Sequence, residues 1–192
     1  MQIMWLTDIH LNFLQHDERY RFYRHLKEQL SAATEHVVAI IISGDIGEAN
    51  DYDKYLLELS GFLQVPTYFV HGNHDFWRSS FKDVKAISKR LTLDKTNNLT
   101  WLGAKSVGVR LTPTTYLVGI DSFYDTRAGD YFRSDCVMRD FYTIKELFQA
   151  YCLNPTLLKA VLEKFADSEA KFLERQLKAV LAKPTVCNVI IV

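Results

Sequence analysis

Three short stretches carry the residue types that chemistry needs: Thr7-Asp8-Ile9-His10, Ser43-Gly44-Asp45 and Gly72-Asn73-His74-Asp75. Asp8 and His10 alternate, so on an extended chain both project to one side, and a carboxylate and an imidazole converge as a clamp for a cation. Asp45 brings a second carboxylate, with Gly44 freeing the backbone to turn, and Asn73 brings a neutral amide oxygen. Oxygen and nitrogen donors with no thiol nearby suit Mn, Fe, Zn or Mg rather than a soft metal. A carboxylate such as Asp45 can bridge two ions, and a two-ion centre clamps the attacking and leaving oxygens of an in-line displacement. His74 is the natural proton donor to a leaving group, and Asp75 beside it is placed to orient the imidazole and favour its charged form. Each stretch alone has a bland reading, because Gly, Asn and Asp also simply end strands and make turns. A G-N-H-D run, however, arises by chance in only about one chain per thousand of this length.

The elements that must position these residues alternate along the chain. Residues 2–7 predict a short buried strand, 17–35 a helix with Tyr20, Tyr23, Leu26 and Leu30 on one face, and 37–42 a β-branched strand covered on both sides. A second amphipathic segment at 52–63 precedes the strand 66–70, and 79–92 predicts another helix. Short β-type runs follow between 99 and 121, then an aromatic and charged loop over 122–142. Residues 143–182 predict helix, broken near Asn154-Pro155, and 186–192 predicts a further buried strand. Strand and helix in alternation predict an α/β fold with a largely parallel sheet, where polar residues past the carboxyl ends of strands line the ligand crevice. The three candidate stretches all stand at such ends.

These residues in this order and spacing ("TDIH", "SGDIGEAND", "HGNHDFW") resemble the calcineurin-like metallophosphoesterase family. The helix "DSEAKFLERQLKAVLAK" followed by a hydrophobic run resembles what precedes that family's next motif. The resemblance implies a four-layer α/β/β/α sandwich, two divalent metals, and hydrolysis of phosphomonoesters or phosphodiesters by metal-bound hydroxide. Carried over by position, it implies Asp8, His10 and Asp45 on the first ion, and Asp45 with Asn73 on the second. It also implies His74, supported by Asp75, facing the phosphate or the leaving group. The family pattern has three further histidines downstream, and none follows His74 here. The expectation is therefore one metallophosphoesterase domain over 1–192, shortened relative to the family, lacking its last strands, with the second ion site incomplete.

Composition narrows the alternatives. Lys plus Arg and Asp plus Glu are 23 each, a balance that disfavours a broad footprint for nucleic acid and so lowers a nuclease of the same family. Three scattered cysteines suggest no disulfide framework and point to the cytoplasm. No apolar run approaches a membrane span. His16, His25 and His36 read as surface residues beside the first helix, and His71 as a packing or supporting residue. Arg127, in the loop 119–135, is a candidate bidentate contact for a substrate phosphate, against the plainer reading of a solvated loop with internal ion pairs. The leading function is a metal-dependent phosphoesterase acting on a small phosphorylated compound. Its rival is a non-catalytic remnant or binding module with a damaged metal site.

Overall fold

A computed structural model describes residues 2–192. Its first half runs β1 (Gln2–Leu6), α1 (His16–Ala32), β2 (Val37–Ser43), α2 (Tyr52–Leu63), β3 (Thr67–Val70), α3 (Phe81–Leu93) and β4 (Leu99–Trp101). The four strands make one parallel sheet in the order β1-β2-β3-β4. The second half adds β5 (Val109–Arg110), β6 (Thr115–Val118), α4 (Asp140–Thr143), α5 (Lys145–Leu153), α6 (Pro155–Leu181) and β7 (Asn188–Ile191). Here β5 pairs antiparallel and β7 parallel with β6.

The layers follow from side-chain alternation. In β2, Ile40 and Ile42 turn to the helices and share a core with Tyr23, Leu26, Leu56 and Leu59, while Ile41 turns the other way. Ile41 and Val70 meet Leu117 of β6 in an interlayer between the two sheets. On the far face of β6, Tyr116 and Val118 pack with Leu173, Leu177 and Val180 of α6. The stack is thus helix, sheet, sheet, helix, the four layers expected. Each fully buried aliphatic chain contributes about 1.5–3 kcal/mol, so the β-branched run of β2 anchors two layers at once.

Caps set the helix starts. Gln15 and Glu18 form a reciprocal box at α1, and Ser80 accepts from the Asp83 N–H at α3. The break expected near Asn154-Pro155 is real: Asn154 Oδ1 caps the Leu157 N–H at 2.8 Å, and Pro155 opens α6. One expectation is corrected. The last strand is only half-buried: Val189 packs toward α6 and Ile190 into the interlayer, but β7 lies at a sheet edge and leaves Asn188 and Ile191 exposed. Among the described residues, no helix is long and apolar enough to cross a membrane.

Candidate metal centre

Parallel register brings the chain off β1, β2 and β3 at one edge of the sheet, with Leu6 level with Ile42 and Ser43 level with Val70. The loops then zip together: the Asp8 N–H donates to Gly44 O at 3.2 Å, and the His10 N–H to Asp45 O at 2.9 Å. Asp8, His10 and Asp45 all adopt positive φ, at 51°, 40° and 52°. Left-handed non-glycine backbone costs free energy and persists only where surrounding contacts enforce it. Two glycines allow the approach. A Cβ on Gly44 would meet Gly72 N at 2.5 Å, and one on Gly72 would meet Asp45 Oδ1 at 2.1 Å.

Asp75 is the staple of these loops. Its Oδ1 accepts the N–H groups of Ile46 at 2.9 Å and Gly47 at 3.0 Å, and its Oδ2 accepts that of Gly72 at 2.9 Å. Burial pushes its carboxyl up to about 6, against the pull of His71 and of the Gly47 and Gly72 N–H groups. The orienting role expected for it on His74 is corrected. Its oxygens are spent on backbone donors, and His74 Nδ1 is left buried without a partner.

At the tip, ligand-capable atoms of His10, Asp45 and His74 lie within 4.8 Å of one another. His10 Nε2 is 3.7 Å from Asp45 Oδ2, and the two imidazoles meet edge to face with centroids 4.7 Å apart. Asp45 Oδ1 also accepts the His74 N–H at 3.0 Å. Burial lowers the His74 pKa, the Asp45 carboxylate opposes that, and His10 adds to it. His10 Nδ1, like His74 Nδ1, is buried with no hydrogen-bond partner. Two imidazoles gathered with a carboxylate, each with Nδ1 unpartnered, and every cysteine exposed elsewhere, fit a divalent cation with mixed nitrogen and oxygen ligation.

The remaining expected residues flank this cluster. Asp8 is exposed, takes the Thr7 hydroxyl on Oδ2, and lines an adjoining cavity of about 340 Å³ with Asp45 and Asn73. Asn73 Nδ2 donates to Asp140 Oδ1 at 2.9 Å, which turns its carbonyl oxygen away from Asp140. The same Asp140 oxygen accepts Trp77 Nε1 at 2.7 Å, and Trp77 stacks on His74 at a centroid distance of 3.6 Å. The Arg139 guanidinium covers Trp77 at 4.6 Å. Trp77, Arg139 and Asp140 were not singled out by the sequence. Nothing near Asp140 in the chain marks it, since its partners lie 63 and 67 residues away. Arg127 does not line the cavity. It pairs with Asp125 at 2.8 Å, Asp167 at 2.9 Å and Glu163 at 3.8 Å, so the substrate contact expected of it is corrected to an internal ion-pair cluster. His16, His25 and His36 are exposed, and His71 is buried.

The chain is thus a four-layer α/β sandwich with imidazole, carboxylate and amide donors at the carboxyl ends of its parallel strands, a candidate metal centre. The comparisons agree: a family model of calcineurin-like phosphoesterases matches residues 1–166, and the chain belongs to that family. Among solved structures it is similar to the crystal structure of phosphopantetheinyl hydrolase from Mycobacterium tuberculosis, with a TM-score of 0.60 and 11% identity. That similarity covers 99% of this chain and 66% of that one, and at this identity it shows the fold alone. The comparison with curated proteins returned no match.

Proposed function

We propose that the chain is a metal-dependent phosphoesterase acting on small phosphorylated compounds at the His10–Asp45–His74 cluster. The observation that carries this is the gathering of ligand-capable atoms of His10, Asp45 and His74 within 4.8 Å, with Nδ1 of each histidine buried and without a hydrogen-bond partner. Groups left so in a folded protein are explained by a ligand the fold is built to receive. Divalent ions held there would supply positive charge against phosphoryl oxygens and make a water acidic enough to attack phosphorus. Asp8, His10 and Asp45 would hold the first ion. Asp45 and Asn73 would hold the second, with the Asn73 oxygen presented because its amide nitrogen is engaged by Asp140. His74, its ring stacked on Trp77 and its backbone N–H bonded to Asp45, would face the leaving oxygen as its proton donor. Asp75 serves by tying its own loop to the loop after β2. The even charge balance suits a small substrate rather than a polyanion.

Titration of the chelator-stripped protein with Mn²⁺, alongside turnover of 4-nitrophenyl phosphate and its bis ester, tests the reading. Binding and turnover are expected, with Asp45→Asn lowering turnover about 10²–10³-fold at unchanged fold. Absence of Mn²⁺ binding, or turnover indifferent to Asp45→Asn, would leave the family fold without the family chemistry.

A further inference from the structure

The loop between β6 and α4 separates two cavities. One adjoins the metal-ligand cluster and is walled by Asp8, Asp45 and Asn73, with Ser122 and Phe123 from the loop. The other, of about 540 Å³, lies behind the loop against α5 and α6 and is lined by Tyr131, Val137, Phe141, Tyr151 and Leu158. Tyr124 and Met138 line both, so two side chains form the partition. Met138 is unbranched and partly exposed, the kind of group that yields to a ligand without disturbing the backbone.

The second cavity differs in chemistry from the first. Its lining is aromatic and aliphatic, and Asp130, already paired with Arg133, is its one acidic or basic side chain among the described residues. Phe132 and Val137 at its rim are 63% and 51% exposed, apolar surface left open beside a candidate site. Thr126 Oγ1 is buried with no hydrogen-bond partner and Thr126 is held at a φ of 66°, while the Tyr124 hydroxyl lies against the Asp140 carboxylate. A largely apolar pocket with a few polar groups is the usual makeup of a small-molecule site.

We infer that this second cavity takes the hydrocarbon or aromatic arm of the phosphoester whose phosphoryl group sits at the His10–Asp45–His74 cluster. The inference rests on the phosphoesterase reading and names the class of substrate: a phosphoester carrying an uncharged, apolar substituent rather than a sugar or a second phosphate. The Thr126 hydroxyl would meet a polar group along that arm.

The test uses n-alkylphosphonates from methyl to octyl, with n-octanol, titrated calorimetrically into the Mn²⁺-loaded protein and into Val137→Trp. Val137 is largely exposed and outside the metal cluster, so the indole fills the cavity from its rim. Affinity is expected to rise about threefold per methylene until the cavity is full. In Val137→Trp the series becomes flat while methylphosphonate binds as before. A flat series in the natural protein, or the same rise in the variant, overturns the inference. n-Octanol reads the cavity without a phosphoryl group. Bound by the natural protein and not by Val137→Trp, it upholds the apolar site even where no phosphonate binds and the phosphoesterase reading has fallen. Bound by neither, it overturns the site.

Discussion

His71 and His74 stand on one loop, each close to an aspartate, and the two pairs are built for opposite purposes. His71 is 2% exposed, with Nε2 2.7 Å from Ser88 Oγ and Nδ1 3.0 Å from Asp121 Oδ1. Ser88 Oγ meets Tyr52 Oη at 2.8 Å, and Tyr52 donates to Val84 O. Asp121 accepts the His71 N–H and Trp101 Nε1, and Lys85 approaches it at 3.7 Å while bonding Glu169 at 2.5 Å. This buried network closes through ion pairs as well as hydrogen bonds: His71 Nδ1 and Asp121 Oδ2 make no aligned hydrogen bond, but each faces a charged partner within the network, at 3.0 and 3.7 Å. His74 and His10, by contrast, face Asp45 with a nitrogen each left unpartnered and a cavity alongside. Residue type does not separate the two clusters. Closure does: in the His71 network the atoms without an aligned hydrogen bond face a charged partner of that network, whereas among the described residues Nδ1 of His10 and of His74 has neither a hydrogen bond nor an ion pair.

The largest effect expected from this contrast is on stability, at Asp121. Burial alone would raise its carboxyl, but the His71 and Lys85 charges outweigh burial and hold it below the usual range. Asp121→Ala leaves the Trp101 indole N–H and the His71 N–H without their acceptor and Lys85 with one partner fewer. The cost expected is about 3–5 kcal/mol in urea unfolding, with Mn²⁺ stoichiometry unchanged while the protein remains folded. A variant of natural stability that has lost its Mn²⁺ would invert the assignment of the two clusters.

A smaller effect, on binding rather than folding, is expected at Asp140. That carboxylate fixes both the Asn73 amide and Trp77, the ring stacked on His74. Asp140→Ala is expected to weaken Mn²⁺ about 10–100-fold. Asp140→Asn, which keeps an oxygen for both donors, is expected to restore most of it. Equal affinity in all three proteins would show that Asn73 needs no external anchor.

How far the sequence reaches follows the same division. The placement of Asp8, His10, Asp45 and Asn73 at one end of the sheet was legible because each sits where a strand pattern ends, a local and periodic signal. The four layers were legible through the family resemblance, and the alternation within "VVAIII" is what builds two of them. Closure was not legible, because it is made by contacts across the chain. Asp140 meets Asn73 only after α4 docks, and Arg127 is claimed by Glu163 and Asp167 only once α6 runs beside its loop. Asp75 was misread for a related reason. Its neighbour in sequence is His74, but its partners are backbone N–H groups, two of them in a different loop.

The finest test asks which of two opposed effects wins at Glu169, the outer end of the sealed network. Burial raises its pKa, and the Lys85 ammonium only partly offsets burial. A carboxyl whose folded pKa lies above its unfolded value keeps its proton longer in the folded state. Between the two values the folded protein then binds more protons than the unfolded chain, so this group's contribution to stability falls as pH rises. Glu169→Gln cannot titrate and sets the reference. Losing a partly exposed pair costs about 1 kcal/mol, and the margin of the natural protein over the variant is expected to be larger at pH 4 than at pH 7. Paired urea titrations of the metal-free proteins at the two pH values measure it. A margin that widens with pH would mean that Lys85 outweighs burial, and that the closed network gains from its ion pair at neutral pH instead of merely tolerating it.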